Sequence, residues 1–151
     1  MANLIKSFLT KSDLDAVAEA IGVAEKRTAG EVRVSVRQRR SRKEKGLSVE
    51  ELARREFVSL GMRKTRDRTG ILVFILLETR EFFILADEHI NEKVREERWR
   101  EIAGGMARSF ADGAYRAGLI TAVQSVGEEL ARFFPIKPDD TNELPNEVRI
   151  S

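Results

Sequence analysis

Apolar and polar positions alternate along this chain with two periods, and the periods divide it into elements. From Ser12 to Lys26 the apolar residues Leu14, Val17, Ala18, Ile21 and Ala24 recur at helical spacing, which predicts a first helix. Ser12 with Asp15 three residues on has the form of a capping box. Gly30 follows, where a left-handed turn suits glycine. The stretch "EVRVSV", residues 31–36, alternates strictly, with Val32, Val34 and Val36 on one face and Glu31, Arg33 and Ser35 on the other. A period of two is that of a strand with one more polar face. Ser48, with Glu51 at the third position, opens a second helix that ends near Gly61.

The run "ILVFILL" at 71–77 has no polar break, as expected of a central strand buried on both faces. The short turn "ETR" separates it from "EFFILA", 81–86, so the two should form an antiparallel hairpin. Val94, Trp99, Ile102, Met106 and Phe110 form the stripe of a third helix, from about Asn91 to Ala111. Asp112–Gly113 breaks it, and a fourth helix runs from about Ala114 to Phe133. All three prolines lie beyond, in a segment read as an extended tail, residues 135–151, packing on or beside a single domain of residues 1–134.

A strand, a helix and a second strand in succession make a right-handed crossover with parallel strands. The predicted fold class is therefore α/β: a three-layer α/β/α sandwich, a small mixed sheet with helices on both faces. That topology brings the starts of the first two strands and the end of the third to one rim. Thr28 and Glu31, Asp67 and Thr69, and Asp87 and Glu88 should meet there, although they are distant in sequence. Several carboxylate oxygens at one rim suit a hard cation, Ca²⁺ or Mg²⁺. Glu31, Asp67 and Asp87 are the candidate ligands, Thr28 and Thr69 complete the rim, and Glu88 or His89 is the candidate proton-transfer group. A plainer reading stands beside this: Asp87 or Asn91 caps the third helix, and Glu31 is an exposed strand residue paired with an arginine.

Composition narrows the chemistry. The 151 residues include no cysteine and one histidine, so thiolate catalysis, disulfides, Cys-based zinc sites and multi-His sites within one chain are excluded. No zinc, haem or nucleotide is expected; neither a P-loop nor a nucleophile elbow is present. Hydrophobic residues make up 42% and charged residues 34%, as in globular domains. No apolar run reaches the roughly 20 residues of a membrane span, and the N-terminal run is short for a secretory signal. The expectation is a monomeric, cytoplasmic protein that does not span a membrane.

The 27 basic and 25 acidic residues nearly cancel but are unevenly spread. The stretch "RQRRSRKEK", 37–45, holds six basic residues in nine, among them Arg37, Arg39, Arg40, Arg42 and Lys43. It is a candidate partner surface for a protein or peptide. It has no interleaved aromatics for base stacking, which argues against nucleic acid. A solvated, flexible loop is its structural reading.

The segments "RTAGEVRVSV", "GMRKTRDRTGILVFILLETREFFILADEHI", Trp99, "GLITAVQSVGEELARFFP" and the closing "NELP" together resemble the TPM-domain family, in its small stand-alone bacterial form. The resemblance spans residues 10–148. It implies a Rossmann-like α/β/α sandwich, often described as a phosphatase domain, with Ca²⁺ held by acidic residues in some members. The family includes a thylakoid-lumen protein of photosystem II repair and a membrane-bound modulator of acetylcholine receptors. The matching positions are Thr28–Gly30–Glu31, Thr65 with the polar turn after it, and Asp87. The chain departs at His89, where the family often has glycine before the isoleucine of the corner. The function expected is thus a TPM-like domain that binds a divalent cation and hydrolyses phosphate esters, or alternatively a non-catalytic protein- or peptide-binding module linked to a membrane assembly.

Overall fold

The computed structural model describes residues 3–65, 68–138 and 144–151. Helix α1 spans Lys11–Glu25 and strand β1 spans Glu31–Arg37; α2 is Val49–Ser59, β2 is Gly70–Leu76 and β3 is Glu81–Ala86. Then follow α3, Glu88–Asn91, α4, Glu96–Ala111, α5, Tyr115–Phe133, and β4, Arg149–Ile150. The sheet order is β3-β2-β1-β4, with β1 parallel to β2 and to β4, and β3 antiparallel to β2.

The sheet divides two apolar clusters. Val32, Val34 and Val36 of β1 with Ile71, Val73 and Ile75 of β2 face α1, α4 and α5. The alternate β2 residues Leu72, Phe74 and Leu76 face Leu52, Ala53 and Phe57 of α2. Every residue of β2 is buried, so the three-layer mixed sandwich expected from the unbroken "ILVFILL" run is what forms. The polar face of β1 is covered as well: Ser35 is fully buried and donates to a carboxylate oxygen of Glu56 on α2.

Local details differ from the sequence reading. The box that starts α1 is Thr10 with Asp13, two residues before Ser12; the Asp13 N–H donates to Thr10 Oγ1 at 3.1 Å and the Thr10 N–H to Asp13 Oδ2 at 2.9 Å. Both pairs have capping-box spacing, and the buried stripe of Val17, Ile21 and Ala24 is compatible with either start. Gly30 is not left-handed; Gly61 and Gly113 are the glycines with positive φ among the described residues. Gly30 is there for space, since a Cβ would lie 3.0 Å from Leu130 Cδ1 and 3.3 Å from the Thr69 carbonyl oxygen. The expected third helix is two. Asp87 caps the single turn α3, which seats Ile90 in the core, and α4 restarts after Arg95, whose ψ of 148° is extended. The segment after α5 bridges at Pro135 to Thr28, and its end returns to the sheet as β4 beside Ser35 and Val36.

The loop after β1 is not a loose solvated tether. Residues 37–40 are half-buried, and carboxylates on neighbouring segments hold them. Arg37 pairs with Glu44, the Arg40 N–H donates to Glu78 at 2.8 Å, Arg40 Nε donates to the Leu47 carbonyl at 3.0 Å, and its guanidinium lies 3.4 Å from Glu81. Arg42 and Lys43 are exposed on a short 3-10 turn, and Arg39 is half-buried.

Candidate functional site: the acidic rim

Register brings the three strand ends together. Glu31 pairs with Gly70, and Ile71 with Ala86. The Glu31 N–H donates to the Thr69 carbonyl at 3.0 Å, and the Asp87 N–H to the Gly70 carbonyl at 2.9 Å. Thr28, Glu31, Thr65, Thr69 and Asp87 are the buried polar residues of this end of the sheet. The backbone gathering expected from topology therefore forms. Asp67 lies outside the described residues.

The side chains do different things. Thr28 donates its hydroxyl to the Phe134 carbonyl and accepts from the Gly30 N–H at 3.0 Å, so it closes the rim against the end of α5. Thr69 Oγ1 makes a long contact of 3.5 Å to the Ala29 carbonyl. Asp87 is 8% exposed. Its Oδ1 accepts from the Glu88 N–H at 2.7 Å, while its buried Oδ2 has no hydrogen-bond partner among the described residues. Thr65 Oγ1 is buried and unpartnered in the same way. A buried carboxylate oxygen left without a donor costs free energy on the order of 1–3 kcal/mol, so such an atom calls for an explanation. Glu88 and His89 are exposed on α3, and the His89 ring stands edge-on to Phe134 at 5.3 Å.

Glu31 is 3% exposed, so it is not an exposed strand residue, and it meets Glu25, the last residue of α1. Burial first, then the neighbouring Glu31 carboxyl, pushes the Glu25 carboxyl up to about 9. Glu25 Oε2 accepts from the Val32 N–H at 2.8 Å. A carboxyl group buried beside a second carboxyl holds its proton more tightly, because both cannot readily ionise there. The sequence reading missed Glu25. The available signal was an acidic residue in the last turn of a helix, where the dipole disfavours negative charge.

Oxygen donors at this rim suit a hard cation in type, and the orphaned Asp87 Oδ2 is the atom such an ion would satisfy. Among the described residues, however, no three acidic or histidine side chains converge tightly enough to hold a metal by themselves. Any ion here would draw on hydroxyl and carbonyl oxygens as well.

The sheet order, the covering helices and the polar rim define a small α/β/α domain with its polar residues at one strand edge. The TPM domain family matches residues 5–129, and the chain belongs to that family. It is similar to the BA42 protein from the psychrophilic bacterium Bizionia argentinensis, solved by NMR: 32% identity, TM-score 0.84, covering 95% of this chain and 96% of that one. It shares the fold of the N-terminal domain of a P. gingivalis protein, also solved by NMR, at 17% identity and TM-score 0.67, over 84% of this chain and 79% of that one. No curated protein matches the chain. No helix among the described residues is long and apolar enough to cross a membrane.

Proposed function

We propose that this TPM domain binds one divalent cation, Ca²⁺ or Mg²⁺, at its acidic rim and serves the hydrolysis of phosphate monoesters. The observation that carries the reading is Asp87 Oδ2, a buried carboxylate oxygen with no partner among the described residues. Asp87 is the leading ligand and Glu31 the second, with Thr65 or nearby carbonyl oxygens completing an oxygen shell. A cation bound there would polarise a phosphoryl oxygen and lower the pKa of bound water.

The chain's own residues supply the rest. The Glu88 N–H fixes Asp87 through Oδ1 and leaves Oδ2 available. Burial and the neighbouring Glu31 raise the Glu25 carboxyl, so Glu25 adds little negative charge beside Glu31. Exposed Glu88 and His89 stand beside Asp87 in sequence and are the candidates for proton transfer.

Backbone-amide NMR during titration with Ca²⁺ and then Mg²⁺ tests the binding. Saturable shifts at residues 28–31, 65–70 and 87–91, absent in Asp87→Asn, are expected; no shift at millimolar metal overturns the reading. Turnover of p-nitrophenyl phosphate tests the chemistry. It should require added metal and vanish in Asp87→Asn, and metal-independent turnover would refute the hydrolytic part alone.

A further inference from the structure

The second surface of interest is the outer edge of β3, and it is independent of the rim. β3 is the last strand on its side of the sheet. Hydrogen bonding in an antiparallel ladder alternates. Asp87 bonds inward to Gly70, so Leu85, Phe83 and Glu81 also face β2, and Phe82, Ile84 and Ala86 present their N–H and C=O groups outward. The Ala86 carbonyl confirms the phase: it accepts from the Asn91 side chain at 3.1 Å. Among the described residues nothing meets the outward groups of Phe82 and Ile84.

This edge forms the floor of a groove of about 420 Å³. Glu50 and Arg54 of α2 line one wall, and Trp99, Arg100 and Gly104 of α4 line the other. Trp99 is 3% exposed, and its indole N–H is buried without an acceptor. Along the floor the outward backbone groups of Phe82 and Ile84 stay unsatisfied among the described residues. Their pattern matches the backbone of one extended strand. Helices α2 and α4 flank the edge on both sides, which favours a single strand over the edge of a second sheet with its own helices.

The charges specify one end. Arg54 pairs with Glu50 at 2.8 Å, Arg100 with Glu96 at 3.4 Å, and Glu81 with Arg40 at 3.4 Å. Arg80, at the hairpin end of the groove, has no carboxylate partner among the described residues; its guanidinium lies over the Phe8 ring at 5.6 Å. It holds a left-handed φ of 53°, a conformation arginine seldom adopts.

We propose that the β3 groove takes up an extended peptide as a fifth strand, its backbone bonded to Phe82 and Ile84 and an acidic side chain on Arg80. The test pans a phage-displayed library of random decapeptides against the full chain. The enriched peptide is then synthesised with an amidated C-terminus. Binding is read from the fluorescence of Trp99, the chain's single tryptophan, and from hydrogen exchange of the Phe82 and Ile84 amides. The expected result is saturable binding that slows exchange at both amides, is indifferent to EDTA, and weakens at least tenfold in Gly104→Leu and at least threefold in Arg80→Glu. A Cβ at Gly104 meets nothing closer than 3.5 Å, so Gly104→Leu narrows the groove without disturbing the core, and its unfolding temperature should match the parent's. Three results overturn the proposal: no enriched peptide, an enriched peptide that binds Gly104→Leu as tightly as the parent, or protection of the two amides by rising concentration of the protein alone, which would mean that a second copy occupies the edge.

Discussion

The acidic rim and the basic loop lie at opposite ends of β1, about 20 Å apart by strand rise, and they treat charge in opposite ways. At the loop, Arg37, Arg40 and Glu44 have partners. Glu44 accepts from the Ser41 N–H at 2.8 Å and from Arg37, and the backbone bond first, with Arg37 adding to it, lowers its carboxyl below the usual range. At the rim, charge is compressed. Glu25 is pushed up to about 9 by burial and by Glu31, and Asp87 keeps an oxygen without a donor. Both regions read as charge clusters in the sequence. The difference teaches that a charge run with internal partners is architecture, whereas a buried carboxyl oxygen without a donor, as at Asp87, marks where a site is to be sought.

The largest expected effect is on cation binding. Asp87→Asn should weaken Ca²⁺ or Mg²⁺ affinity by tenfold or more, about 1.4 kcal/mol, in calorimetric titration. The pair Arg39→Glu and Arg42→Glu at the loop should leave it within twofold. Equal losses from both changes would erase the contrast between the two ends.

Next comes pH. Glu25 has a raised carboxyl, so the folded state holds a proton that the unfolded chain gives up near pH 4.5. Its contribution to stability is full below that value and falls as pH rises toward about 9. Glu25→Gln should remove that decline in urea midpoints measured from pH 5 to 9. Glu44 has the opposite sign. Its lowered carboxyl stabilises the fold above the ordinary glutamate range and loses that contribution as pH falls through it. Glu44→Gln should therefore flatten only the acid side of the profile, and by less, because a pair near the surface is worth under about 1 kcal/mol. Midpoints that fall on the same side of neutrality in both variants would show that the two ends are not electrostatically distinct.

Helix starts set a smaller scale. Ser48 Oγ accepts from the Glu51 N–H at 3.1 Å, and Ser48→Ala should cost about 1 kcal/mol by denaturant titration. The smallest effect belongs to the exposed loop tip: Lys43→Glu should change stability by less than about 0.5 kcal/mol.

The elements were legible in the sequence because each follows from a local period. The alternation of Val32, Val34 and Val36 gave β1, the unbroken 71–77 run gave a strand buried on both faces, and the stripe from Trp99 to Phe110 gave most of α4. From their order came the crossover and the gathering of Glu31, Thr69 and Asp87 at one rim. The side-chain partners there were not legible. Thr28 bonds to Phe134 across 106 residues, and no local pattern encodes such a contact.

What the sequence determined by itself was the main helices and the first three strands, their order and hence which strand ends meet, because backbone periodicity is a short-range property. Tertiary packing decided the rest. It gave Gly30 its reason by pressing Leu130 and Thr69 against it, it joined Glu25 to Glu31, and it returned the chain end as β4 beside β1. It also left the β3 edge open between two helices, with the Phe82 and Ile84 backbones facing out. Burial, pKa and hydrogen-bond satisfaction depend on what lies on the other side of each group, and only the assembled layers supply that.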